Sequence, residues 1–452
     1  MALHNHIEGL DLSLPGAPEQ AVREEKHPRR VAVLLEDYPY ARPVLRVGMG
    51  DSVKRGQLLF DDGATGVRYT APGAGVVSGL HCDASGRLVS VAVALNERER
   101  NGTPDTDDFQ AFEPFSGRDL ALCTGAYVKS VLLESGLWTA LRTRPFGHVA
   151  NPRIEGFALF INAMDTEPLA PNMDVVAGER DENLAVGALA VSKLVNGYVF
   201  YCRSHQTKTV PPPNVGIMIH GFQGTHPFGT AGLHMHQLEP AGRRRPIWHI
   251  GLQDVLAIGA LFRTGRLDVA RVIALSGPGV ARPQLIRTRL GASLDELTEG
   301  ELHPGPQRVL SGSALNGRMV SGEGRSYLGR YHQQVCALPE PPERRSAFLR
   351  GWMSLLLPLR RGKSWEWSAG SAPEGLTMFP AAGYERVFPF DMPVMHLLSA
   401  LRRRDYAHVE ALGGLELEEE DLALCSYLSP EHIDYGRLLR EALTVLKGEE
   451  AP

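Results

Sequence analysis

Cysteine is sparse and scattered. The chain carries Cys82, Cys123, Cys202, Cys336 and Cys425, an odd number with no CxxC among them. That excludes the spaced thiolate sets of zinc and iron–sulfur sites and points to a reducing compartment. Long apolar runs are missing as well: none approaches the roughly 20 residues needed to cross a bilayer. The opening Met1-Ala2-Leu3-His4-Asn5-His6 has neither the basic start nor the apolar core of a signal peptide. A cytoplasmic protein is expected, with any membrane contact peripheral. No GxGxxG follows a strand-like segment and no GxxxxGK[ST] occurs, so neither a dinucleotide nor a P-loop site is supported. Positive charge is not in excess, the formal net charge being -5, and nothing proposes nucleic acid.

What is present reads as ordinary globular protein, 43% hydrophobic and 22% charged over 452 residues, enough for about two to four domains. Residues 1–30 are polar and read as an extended N-terminal arm. Val31-Ala32-Val33-Leu34-Leu35 is a first strand. VGMGDSVKRGQLLF (47–60) and VRYTAPGAGVVSGL (67–80) then alternate glycine turns with short β segments. This pair resembles the barrel-sandwich fold of lipoyl and biotinyl carrier domains, here assigned to 31–100. Carriers hold a modified lysine between the two motifs, whereas Gln57 to Ala71 contains none. The resemblance implies the fold without the swinging arm.

Past a polar linker, Asn101 to Asp108, strand and helix alternate. A helix through Ser130 ends near Gly136, a strand covers 157–163, a helix starts at Asp181, and strands follow at 198–202 and 215–219. The alternation predicts an α/β, Rossmann-like domain over 118–265. Its centre is Gly221 to Phe262: a glycine- and histidine-rich loop, a buried strand Ile247-Trp248-His249-Ile250, and a helix with Asp254 near its start, where a carboxylate suits the exposed amides. Neutral imidazoles are common ligands, so His226, His234 and His236 admit a metal reading. The spacing argues against it, because residues one apart share a side only in a strand. A glycine-shaped loop whose imidazoles bond to backbone is the plainer expectation.

GLWTALRTRPFG (136–147) with FALFINAMDTEPLAPNMDVV (157–176) resembles the flavin- and NADH-binding subunit of respiratory complex I and its Rnf relative. There a glycine-rich loop and an Asn-Ala-Asp/Glu turn with Glu-Pro hold flavin mononucleotide and NADH. Asn162, Asp165, Glu167 and Pro168 keep the second part. Trp138, Leu141, Arg142 and Arg144 stand where close approach to a phosphate needs glycine, so the resemblance implies that the flavin cradle is lost. RVIALSGPGV (271–280), TRLGASL (288–294) and VLSG (309–312) are similar to the β-grasp (SLBB-type) domain of the same subunits, over 266–338.

With THPFGTAGLHMH (225–236), WHIGLQDVLAIG (248–259), RTRLGASL (287–294) and YLGRYHQQV (327–335) in order, the chain is identified as a member of the A-subunit family of bacterial sodium-translocating NADH:quinone oxidoreductases. The resemblance implies a peripheral subunit on the cytoplasmic face of the bacterial inner membrane. The complex it implies oxidises NADH, reduces ubiquinone to ubiquinol and exports Na+. Partners are the other subunits, integral membrane ones included. NADH, flavins, iron–sulfur and ubiquinone belong to those subunits, and this chain is expected to bind no redox cofactor and no metal. The candidate site is the loop with Gly224, His226, Pro227, Gly232, His234 and His236, either close to ubiquinone or in a subunit contact. The rivals are an autonomous flavoprotein NADH dehydrogenase and a metalloenzyme using His226, His234 and His236.

Residues 339–388 read as a linker. Within it GWMSLLLPLRRGKSWEW (351–367) mixes Trp352, Trp365 and Trp367 with Arg360, Arg361 and Lys363, a composition that suits a membrane interface or a partner contact. Residues 389–452 read as a helical domain resembling the ferredoxin-type domain of the Rnf relative. Only Cys425 stands where a cluster ligand would, and one thiolate cannot hold a cluster. The acidic run Glu416, Glu418, Glu419, Glu420 and Asp421 reads as a solvated face, with a docking surface as the alternative, and Arg243-Arg244-Arg245 as a solvated loop, with a membrane or partner contact as the alternative.

Overall fold

The computed structural model describes residues 2–5, 8–213, 216–340 and 381–448. The tryptophan- and arginine-bearing stretch of the 339–388 segment lies outside them. The arm is not featureless. It contributes two strands, β1 (Ala2–Asn5) and β2 (Glu19–Glu25), to the sheets of two different domains. Such edge strands are short and polar, so no apolar alternation announces them.

The barrel-sandwich unit folds from β3 (Arg30–Leu34), β4 (Gly75–Cys82) and β5 (Leu88–Leu95), with shorter strands facing them in a second small sheet. Glu99 closes this unit against the β-grasp domain. It is fully buried, and Arg55 Nε and Arg289 Nη2 donate to it at 2.9 Å and 2.8 Å.

The α/β domain begins with α1 (Gly125–Ser135), which ends as expected at Gly136, a left-handed cap with φ 79°. It continues through β6 (Arg142–Arg144), β7 (Ala158–Ala163), α2 (Asp181–Ser192), β8 (Tyr198–Ser204), β9 (Met218–Gln223), α3 (Ala231–Leu238), β10 (Ile247–Gly251) and α4 (Leu252–Thr264). The sheet order is β1-β9-β8-β7-β10-β6, with His148–Val149 outermost. The first five strands run parallel and β6 antiparallel. Both faces are covered, which is why 158–161 is continuously apolar. On one face α2 and α4 cross at Gly187 and Gly259, where a Cβ on either would collide with backbone of the other helix. On the other face α3 packs on Phe160, Phe200 and Phe222. The strand expected at 215–219 sits at Met218–Gln223, because pairing with β8 begins at Phe200↔Met218 and with β1 at Ala2↔His220.

The β-grasp domain places β11 (Ala270–Ser276), β12 (Gln284–Arg289), β13 (Gln307–Ser311) and β14 (Gln334–Pro339) in one sheet. Its order is β13-β14-β11-β12-β2, with Arg318–Met319 outermost beside β13 and β2 of the arm parallel to β12. The C-terminal domain is helical, packed around α5 (Val394–Arg403) and α6 (Tyr435–Gly448) through Leu397, Leu401, Leu439 and Leu443.

The acidic run departs from expectation. Glu418 and Asp421 are 3% and 2% exposed, turned inward against β6. Arg144 is itself fully buried, and its Nη1 donates to Asp421 Oδ2 at 2.6 Å and to the Glu416 carbonyl at 2.8 Å. Its Nη2 donates to Glu420 at 3.2 Å, and Arg142 Nη1 pairs with Glu418 at 3.2 Å. Two arginines brought inside by β6 need anionic partners in a low-dielectric setting, and the acidic run supplies them. Arg243 is likewise drawn to Glu410, with Nη2 donating at 2.6 Å, instead of standing in solvent. Among the described residues no helix is long and apolar enough to cross a membrane.

Candidate functional site

In an open parallel sheet, ligands bind beyond the carboxyl ends of the strands. At that end of β7 and β10 lies a cavity of about 350 Å³, walled by all the folded units. The α/β domain supplies its floor through Asn162 to Glu167 and through Gly251 at the junction of β10 and α4. The β-grasp domain supplies Ser313, Asn316 and the segment 330–334, and the helical domain supplies Glu418 to Glu420.

The turn after β7 is built by its own side chains. Met164 N donates to Asn162 Oδ1 at 3.1 Å, Asn162 Nδ2 donates to the Gly229 carbonyl at 2.9 Å, and Glu167 N donates to Asp165 Oδ1 at 2.9 Å. Glu167 then reaches across the domain boundary, accepting from Ser313 Oγ at 2.8 Å and from Asn316 Nδ2 at 2.7 Å. Neither carboxyl faces an arginine or lysine within ion-pair distance among the described residues. Burial, then the neighbouring Glu167, pushes Asp165 up to about 7. Burial pushes Glu167 up to about 7 against the lowering effect of its two hydrogen bonds. His226 sits 3.9 Å from Glu167, and burial holds its imidazole neutral, down to about 4. His332 is also neutral by burial, with Ser311 Oγ 2.8 Å from its Nδ1.

The same cavity is lined by arginines that meet carboxylates. Asp254, in the first turn of α4, is gripped by Arg271 and by Arg330, the latter at 2.9 Å. The Arg142 guanidinium lies 4.5 Å from the ring centre of Tyr331. The cavity is thus lined both by two carboxyls without a cationic partner among the described residues and by guanidinium groups paired with carboxylates.

Three family models match the chain in order. They are the NqrA N-terminal barrel-sandwich hybrid domain over residues 6–96, the NqrA second alpha/beta domain over 123–267, and the NQRA C-terminal domain over 272–322. The A-subunit of the Na(+)-translocating NADH-quinone reductase of Pseudomonas aeruginosa is 40% identical over 453 residues, covering 98% of each chain. That of Vibrio parahaemolyticus is 41% identical over 455 residues, again 98% of each. The chain belongs to this NqrA family. The fold expected from the sequence, barrel-sandwich, α/β and SLBB-type β-grasp units with C-terminal helices, is the family's. Among solved structures, an NAD+-reducing [NiFe]-hydrogenase is similar at a TM-score of 0.38 and 12% identity, covering 76% of this chain and 64% of that one. So distant a likeness carries no functional argument.

In this member of the NqrA family the sequence-marked histidines part company. The segment is a loop only as far as Thr230, the N-cap of α3, and His234 and His236 lie on the helix. Two residues apart there, they face opposite ways. Only His226 of the three lines the cavity. His234 is buried against Phe222, its Nε2 2.8 Å from the Phe228 carbonyl. His236 faces the helical domain, its Nδ1 2.8 Å from Glu416 Oε2 while its Nε2 accepts from the Asp391 amide at 2.9 Å. Gly232 lets α3 approach the same domain, for a Cβ there would collide with the Asp421 carboxylate. Gly224 packs its α-carbon on the Phe228 ring, next to Pro227. No group of three His, Cys, Asp or Glu side chains is placed to hold a metal ion among the described residues.

The loop compared with a flavin cradle is filled by its own side chains. Trp138 is fully buried, its Nε1 donating to the Ala150 carbonyl at 2.6 Å and its ring edge-on to Trp248. Leu141 and Arg144 are fully buried beside it. These residues do not fit a phosphate-bearing flavin. Cys425 is buried in the helical core. Asp165 and Glu167 are visible in the INAMDTEP turn, but nothing local marks them as proton-holding groups. Gln253, Asp254, Arg271 and Arg330 give no local signal, since they meet only in the folded chain.

Proposed function

We propose that the chain is the peripheral, cytoplasmic-face subunit of a complex that oxidises NADH, reduces ubiquinone to ubiquinol and exports Na+. It serves there as a docking and quinone-proximal scaffold without a redox cofactor of its own. The observation that carries this reading is the end-to-end match to the NqrA relatives, 98% of each chain. The Trp138–Arg144 packing supports the absence of flavin, and the lone Cys425 supports the absence of an iron–sulfur cluster. Quinone approaching the His226 loop is part of the proposal, since quinone carbonyls need hydrogen-bond donors.

Purification, depletion and labelling experiments test it. Purified alone, the chain is expected to be colourless, and in detergent it is expected to co-purify with integral membrane partners. Stripping it from the complex is expected to abolish NADH:quinone activity. Full activity in the stripped complex, or a stoichiometric flavin in the isolated chain, overturns the proposal. A photoreactive quinone that labels only other subunits removes the quinone-proximal part and leaves the docking part standing.

A further inference from the structure

The helix α4 opens into the cavity without a lid. Its N-cap is Gly251, which has no side chain to cap the first-turn amides, and the backbone there is extended with φ -80°. A Cβ built on Gly251 meets no atom within 4 Å, so the space above the helix end is open and part of the cavity. The 13-residue helix begins with N–H groups that no N-cap side chain satisfies and with the positive pole of its dipole.

Two buried side chains beside this end carry polar atoms that the protein leaves unused. Arg330 is 9% exposed and His249 3%, and both line the cavity. Arg330 Nη2 and His249 Nε2 find no hydrogen-bond partner among the described residues. A buried donor left unsatisfied costs roughly 1–3 kcal/mol, so such atoms in a cavity wall mark a place that something else completes. The charge around the helix end favours an anion. At the helix end Arg271 and Arg330 share the single carboxylate of Asp254, while elsewhere on the lining Arg142 pairs with Glu418, Arg318 with Glu36 and Asp37, and Arg440 with Glu419. Asp165 and Glu167 line the same cavity, with no arginine or lysine within ion-pair distance among the described residues. A cavity of about 350 Å³ holds on the order of ten waters' worth of liquid, more than a bare phosphate fills.

We propose that this cavity is a binding site for a small organic phosphate monoester. Its phosphate sits on the α4 N-terminus against Arg330 and His249, and its hydroxyl- or amine-bearing end faces Asp165 and Glu167. The assignment does not depend on where quinone binds, because it rests on the helix end and the unpaired groups alone. The ligand is reversible and undergoes no chemistry here.

The test is calorimetric titration of the full-length chain with glycerol 2-phosphate and, separately, with inorganic phosphate. The wild-type chain is expected to show saturable binding of the monoester and weaker binding of inorganic phosphate. Gly251→Asp puts a carboxylate on the helix end without a clash, so the variant folds with an unchanged or higher melting temperature. It is expected to lose monoester affinity at least tenfold. Arg330→Gln, which also loosens Asp254, is expected to weaken binding by about ten- to a hundredfold, the worth of one charge-assisted hydrogen bond. No saturable binding to the wild type overturns the proposal, as does equal affinity in Gly251→Asp. Inorganic phosphate binding as tightly as the monoester overturns the assignment to an organic ligand.

Discussion

Replacing Arg144 with methionine keeps the length of the side chain and removes the cation that three acidic groups share. In the native chain Asp421 lies 2.6 Å, Glu420 3.2 Å and Glu418 3.3 Å from its guanidinium. Burial works against the Glu418 charge, but Arg144 and then Arg142 hold it ionised, well below the ordinary carboxylate range. Glu420 goes the other way, pushed up by burial and by the Asp421 charge beside it. Without Arg144, Asp421 remains buried with no guanidinium at 2.6 Å, and Glu418 keeps only Arg142. Breaking one side of a buried pair costs roughly 3–5 kcal/mol, whereas replacing the whole pair with apolar groups is often neutral. Urea unfolding followed by tryptophan fluorescence, with limited proteolysis of the C-terminal helices, reads the loss directly. Arg144→Met should fall by about 3–5 kcal/mol and expose those helices first. The double variant Arg144→Met with Asp421→Leu should recover at least half of that. A single variant that loses less than about 1 kcal/mol would refute the reasoning and return the acidic run to the solvated face its composition suggests.

Asp165 and Glu167 make stability fall with rising pH. Their folded values, about 7 each, lie above the ordinary carboxyl range. Their stabilisation is therefore present at low pH and is lost as pH rises through about 7. Asp165→Asn with Glu167→Gln should flatten that slope between about pH 4 and 7 in thermal melts, and an unchanged slope would contradict it. At the α2–α4 crossing, Gly259→Val forces a side chain against Asn183 backbone and should cost at least about 1–3 kcal/mol in chemical denaturation. Glu99→Gln leaves Arg55 and Arg289 facing a neutral group in a buried site and should lower stability by several kcal/mol, on the order of other broken buried pairs. A melting temperature within a degree of wild type would contradict that placement.

Local pattern carries the strands and helices well where the chain is apolar on both faces or capped by glycine. The helix ending at Gly136 and the buried strand after Phe157 are legible for those reasons. The candidate site is legible only in part. The INAMDTEP turn lies within one stretch of sequence, but the groups that surround it come from four units. Arg144 and Asp421 are 277 residues apart, and no periodicity links such positions. An acidic run looks solvated in any window, since its arginine partners are elsewhere. His226, His234 and His236 group together in sequence because all three follow one glycine-rich segment. In the fold Thr230 caps a helix between them and sends each to a different neighbour.

The arm also sets an order of events during synthesis. The partners of β1 lie at residues 220–223 and those of β2 at 284–287. At about 5–20 residues per second, the arm waits on the order of tens of seconds for the strands it joins. Until then the growing chain has two open sheet edges in prospect and a polar ribbon with nowhere to pair. A bulky fusion at the amino terminus would therefore interfere with the last stitches of assembly, while the same fusion at the other end would leave them untouched.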